Sequence, residues 1–101
     1  MVDREDLQRV LEDILGSNEV YFQPPESVRF HYPVIRYELS RINTRNANND
    51  KYMARKSYDV TLIHKDPDNE IVDAILSLPM CSFDRFYVFD NLNHYVFTIY
   101  I

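Results

Sequence analysis

The side chains able to do chemistry are few and scattered. His31, His64 and His94 stand far apart, none has a partner at the i+4 spacing that sets two imidazoles on one helix face, and a metal site would need all three to converge by folding. Cys81 is the single cysteine. It rules out an intramolecular disulfide and a multi-cysteine zinc site, suits a reducing or indifferent compartment, and lacks the activating context a nucleophile needs. It reads as a half-buried structural thiol. Asp66, Asp68 and Glu70 imitate the opening of a calcium loop, yet Ile71 stands where that loop needs glycine and the closing glutamate is missing. With Pro67 among them they fit a capped first helical turn, Asp66 as the cap and the carboxylates at the positive end of the macrodipole. Gly16 is the only glycine, so a glycine-rich phosphate cradle is absent. No catalytic site, metal or cofactor is expected.

The elements that would have to position any site come next. A length of 101 residues corresponds to a single domain, residues 1–101. Lys+Arg of 11 against Asp+Glu of 16 gives a net charge of −5, which opposes the phosphate neutralisation on which nucleic-acid binding depends. No apolar run approaches the ~18 residues of a spanning helix and no charged-then-apolar leader opens the chain, so a soluble, unprocessed protein with no membrane partner is expected.

Leu7, Val10, Leu11, Ile14 and Leu15 follow the i, i+3, i+4, i+7, i+8 pattern of a helix with one apolar face. Asp3 suits its N-cap, Asp6 approximates the acidic partner of a capping box, and Gly16 stops it. Glu5, Asp6, Glu12 and Asp13 occupy or border its polar face. Pro24, Pro25 and Pro33 make residues 17–33 a wrapped connector with room for short strands at Val20–Phe22 and Val28–Phe30. Its aromatics Tyr21, Phe22, Phe30 and Tyr32 are expected to lie on the domain or, if exposed, to mark an interface.

Ile35, Tyr37 and Leu39 alternate with Arg36, Glu38 and Ser40 as a strand with one buried face, and the phase slips at Arg41-Ile42. Asn43–Lys51 follows as a polar tip, either mobile or ordered by a partner. Arg41, Arg45, Asn46, Asn48, Asn49 and Lys51 are the candidate partner-binding residues at this tip. Tyr52, Ala54, Tyr58, Val60 and Leu62 then share one face of an antiparallel strand. A helix with Ile71, Ile75 and Leu78 as its stripe and Val72 and Leu76 beside it closes at Pro79. Two strands, Phe83–Phe89 and Tyr95–Ile101, join through Asp90-Asn91-Leu92-Asn93, where Asn and Asp tolerate the left-handed region. The expected fold is α+β, order αββαββ, a mostly antiparallel sheet with two helices on one face.

Several segments carry a resemblance: VYFQPP at Val20–Pro25, HYPVIRYEL at His31–Leu39, YDVTLIHKDPD at Tyr58–Asp68 and FDRFYVFDNLNH at Phe83–His94. They are similar to small proteins of the head-tail joining modules of long-tailed bacteriophages, and most resemble the tail terminator, or tail completion, proteins. The likeness spans nearly the whole chain and its motifs are structural. It implies a non-enzymatic virion subunit, assembled in the host cytoplasm, that closes into a hexameric ring at the head-proximal end of the tail tube. Its implied partners are further copies of itself, the tail tube protein and a head-completion or connector protein. A ring needs a heterologous contact, and the acidic helix (Glu5, Asp6, Glu12, Asp13) and the basic hairpin edge (Arg36 with Arg41, Arg45 and Lys51) form a complementary pair. Another neck component and a small monomeric regulatory module are the alternative roles.

Overall fold

A computed structural model describes residues 3–46 and 52–101. The first helix, α1 (Arg4–Leu15), begins where the Asp3 carboxylate accepts the Asp6 N–H at 2.9 Å. It ends at Gly16, whose φ of 77° lets its N–H turn back to the Glu12 carbonyl. The Asp6 carboxylate accepts from Arg9 at 2.7 Å, an i,i+3 pair on the helix surface. Leu7 and Leu11 are fully buried.

Strand β1 (Val20–Phe22) pairs in parallel with β2 (Val34–Asn46), Val20 opposite Ile35 and Phe22 opposite Tyr37. The observed order is therefore αβββαββ, and of the two optional strands only the first forms. Residues 28–30 have no strand partner and lie in the return connector. There Phe30 stacks on Tyr21 at 5.3 Å and meets Tyr32 at 6.5 Å, while Phe22 packs on Tyr37 at 5.1 Å. Tyr21, Phe22 and Phe30 are half-buried on the domain, whereas Tyr32 is exposed.

Strands β2 and β3 (Tyr52–His64) form an antiparallel hairpin with a bulge between Leu39 and Arg41. Residues 43–46, expected as the start of a loop, continue β2 and pair with β3 as far as Asn46 opposite Tyr52. The remainder of the expected tip, including Asn48, Asn49 and Lys51, lies outside the described residues.

Helix α2 (Ile71–Leu76) is shorter than its apolar stripe suggests. The Asp66 carboxylate accepts the Asp68 N–H and so closes a turn; it is Asn69 whose side chain accepts the Val72 N–H and caps the helix. At the other end the Leu78 N–H reaches back only three residues, to the Ile75 carbonyl, and Pro79 follows. Strands β4 (Cys81–Phe89) and β5 (Leu92–Tyr100) join through Asp90 and Asn91 alone, with φ of 53° and 61°. Two successive left-handed residues are what a two-residue hairpin turn needs.

The sheet runs β1-β2-β3-β5-β4, antiparallel except at β1. The core lies under α1 and α2, where Ile35, Tyr37, Tyr58, Val60, Leu62, Tyr95, Phe97 and Ile99 line one face. The fold class is α+β, and among the described residues no helix is long and apolar enough to cross a membrane.

Candidate functional site

Beneath α1 a short polar chain ties helix to sheet. Arg4 donates to the Tyr37 hydroxyl at 3.2 Å, Tyr37 donates to Gln8 Oε1 at 2.6 Å, and Gln8 donates to the Val20 carbonyl at 2.9 Å. The Arg4 guanidinium also sits 4.5 Å over the Phe22 ring. Burial raises the Tyr37 phenol above its ordinary range, partly offset by Arg4. Every member is hydrogen-bonded to another, so the network positions α1 on the sheet.

Of the histidines, His64 and His94 are engaged in structure. His64 Nδ1 accepts the Asp66 N–H at 2.9 Å, fixing the turn after β3. His94, 8% exposed, places Nδ1 3.0 Å from the Leu92 carbonyl and stacks on Tyr87 at 4.6 Å. His31 is exposed in the connector. Among the described residues no three His, Cys, Asp or Glu side chains converge as a metal site would require. Burial pushes the Cys81 thiol up, the opposite of what a nucleophile needs.

Two surfaces remain, one where β2 and β3 run past the end of β5 and one along the β4 edge of the sheet. The first is the projecting hairpin. Strand β5 accompanies β3 as far as Ser57 opposite Tyr100, with a last exchange of bonds between Lys56 and Ile101. Beyond that point β2 and β3 continue as a two-stranded ribbon. A ribbon of two strands is marginal in water without a third strand or a partner. Together with the sheet's length this gives extents of 52 × 29 × 23 Å. Register sets Arg41 opposite Ser57 and Asn43 opposite Arg55 on the face away from the helices, with Ile42 opposite Lys56 on the other. Arg41, Ile42, Arg55 and Lys56 are all exposed.

Arg41, expected at the tip, lies at the base of the ribbon opposite Ser57, which still pairs with Tyr100 of β5. Arg45 and Asn46 belong to β2 by backbone pairing. Arg36 stands apart from the arm, in the body of the sheet between Tyr21 of β1 and Thr61 of β3. With Phe30, Tyr32, Ile63, Phe89 and His94 it borders a half-open groove of about 460 Å³ on the helix-free face. On α1, Glu5 and Asp13 are exposed, Glu12 is half-buried and Asp6 is paired with Arg9.

The second surface is strand β4, which sequence reasoning did not single out. Phe83, Phe86, Tyr87, Val88 and Phe89 are 46%, 48%, 41%, 59% and 63% exposed. The sequence signal was available: Phe86-Tyr87-Val88-Phe89 is continuously apolar where a half-buried strand would alternate. Such a run belongs to a strand covered on both faces or to an interface, and β4 is at the edge. The chain matches no protein-family model, and no curated protein matches it.

Proposed function

We propose that the chain is a non-enzymatic subunit of a long-tailed phage virion, a tail terminator. In this role it assembles as a ring at the head-proximal end of the tail tube, ends tube polymerisation and offers the surface that joins the head. The observation that carries most weight is the β2–β3 ribbon, which runs past the end of β5 from Asn43 opposite Arg55 and carries exposed Arg55, with exposed Arg41 and Lys56 at its base. An arm of this kind supports contact with another subunit better than it supports chemistry. The exposed carboxylates of α1, Glu5 and Asp13, give the arm of a neighbouring copy a surface of opposite charge. A head-to-tail contact between two different patches is the kind that closes rings. The inward thiol and the structurally engaged histidines support a non-enzymatic role.

Mass measurement by light scattering, alone and with a tail-tube subunit, tests the proposal. Binding to the tube end in multiple copies is expected, and failure to bind tube in any state of assembly would overturn it. Reversing the arm charges in Arg41→Glu with Arg55→Glu should abolish tube-end rings. Adding Glu5→Lys and Asp13→Lys should restore them if the two patches meet.

A further inference from the structure

The outer edge of β4 is exposed, apolar and of defined backbone phase. The phase of its backbone follows from the hairpin. In a two-residue turn the flanking residues form a hydrogen-bonded pair, here Phe89 with Leu92, so Tyr87 with His94 and Arg85 with Val96 also direct their backbone groups at β5. The intervening residues Phe86 and Val88 direct theirs outward, where the sheet has no further strand among the described residues. The Tyr100 N–H bonded to the Met80 carbonyl and the Ile101–Lys56 exchange fix the same phase along β5.

We propose that β4 of one copy adds antiparallel to β4 of a second copy about a twofold axis through Tyr87, continuing both sheets into one. Only a register that sets Phe86 opposite Val88 of the partner copy brings outward-facing backbone groups together twice while staying within the apolar run. The two pairs Phe86/Val88 then exchange both N–H···O bonds, and their side chains share the helix-bearing face on each copy. On the other face Tyr87 meets its own counterpart, and Arg85 of each copy, whose guanidinium donates to Asp84 of its own chain at 2.8 Å, comes opposite Phe89 of the other. The bulge between Phe83 and Arg85 interrupts the edge, which confines pairing to residues 85–89. Phe86, Tyr87, Val88 and Phe89, the exposed apolar run, all gain a cross-strand neighbour.

A second copy is favoured over a foreign strand because the outward-facing residues Phe86 and Val88 lie symmetrically about Tyr87 within one exposed apolar run, so the same edge serves both sides of the contact. This contact is separate from the tail-terminator proposal, since it leaves α1 and the projecting ribbon uncovered. An assembly using both contacts would have dihedral symmetry.

The test is sedimentation or light scattering of the full chain across concentration. The wild type should show twice the 12.1 kDa chain mass, or ring multiples built from that dimer. Val88→Pro removes an outward N–H that β5 does not use, so it should keep the monomer's circular dichroism and melting profile while losing the pairing. A Tyr87→Cys, Cys81→Ser double variant should cross-link to its own copy under mild oxidation. Residues facing each other across the axis in a non-hydrogen-bonded pair lie about 4.5 Å apart at Cα, within disulfide reach. A Ser82→Cys, Cys81→Ser control should not cross-link. Persistent monomer with no cross-link, or a ring unaffected by Val88→Pro, would overturn the pairing, and the second result would leave the tail-terminator proposal standing.

Discussion

Strands β4 and β5 are two halves of one hairpin, similar in length and in aromatic content, yet their surroundings are opposite. In β5 the residues from His94 to Phe97 are all buried, so both faces of that strand are covered. In β4 every residue after Cys81 is exposed. The difference is position: β5 lies between β3 and β4, whereas β4 has a neighbour on one side only. Phe83 and Phe86 do reach inward enough to touch Phe97 and Tyr95, at 5.7 and 5.0 Å, yet about half of each stays exposed. An aromatic strand at a covered position is core. The same kind of strand at an edge is a surface awaiting a partner.

The sharpest way to break the comparison is to truncate one phenylalanine on each strand. Phe97 is fully buried beneath α1 and α2. Phe97→Ala is expected to cost about 3–5 kcal/mol in denaturant unfolding, lost transfer energy plus a cavity. If it cost no more than a surface change, the central position of β5 would not be what distinguishes the two strands.

Tyr37, two strands from Phe97 on the same face, tests whether the covered region depends on polar satisfaction as well as area. Tyr37→Phe removes the acceptor of Arg4 and the donor to Gln8 and should cost about 1 kcal/mol. The same variant carries a pH signature. Burial raises the Tyr37 and Tyr95 phenols above their ordinary 10.0, so the folded state holds these protons more tightly than the unfolded chain does. That contribution is complete below pH 10.0 and is lost as pH rises through the higher folded-state values. Unfolding measured at about pH 8 and about pH 11 should therefore show alkaline destabilisation. It should be smaller in Tyr37→Phe, and an equal loss in both proteins would remove Tyr37 from the explanation.

Much of the covered region was legible beforehand because local periodicity reports burial directly. The stripe Leu7, Leu11 and the alternation Ile35, Tyr37 and Tyr58, Val60, Leu62 identified the residues that form the core. Asp3 and Gly16 marked the limits of α1 through chemistry that acts within a few residues. The bulge expected at Arg41-Ile42 falls between Leu39 and Arg41. Where a choice depended on distant partners, local signals fell short. Val20–Phe22 becomes a strand because β2 is beside it, and Asn69 displaces Asp66 as the α2 cap because Asp66 is used in the preceding turn. Tyr95 donating to the Pro67 carbonyl, and Asn93 to the carbonyls of His64 and Lys65, help hold that turn on β5. The continuous apolar run of β4 is visible in the sequence, but whether such a strand is covered on both faces or open at an edge depends on strand order, which no window of sequence contains.

Within β4 itself the comparison can be refined, since Tyr87 is the residue that contributes most to the hidden side. Its ring stacks on His94 at 4.6 Å and 15° between planes, over a buried part of β5. Tyr87→Ala should lower monomer stability by about 0.5–1.5 kcal/mol, the usual worth of an aromatic pair. It should also shift the His94 ring resonances in NMR, which a purely solvent-facing tyrosine would leave in place.

Phe89 should give the smallest effect on folding. At 63% exposure it is the most open large apolar side chain among those described, and its contact with His94 is edge-on at 6.3 Å. Phe89→Ser is expected to change unfolding free energy by no more than about 0.5 kcal/mol, the range of ordinary surface substitutions. Its effect on association should be large by contrast, because an exposed aromatic costs the monomer little to lose and costs an interface its buried area. Equal unfolding curves with a shifted association curve would separate β4 from β5 by function as well as by position. A loss of several kcal/mol, comparable with that of Phe97→Ala, would mean that Phe89 belongs to the core of the monomer after all.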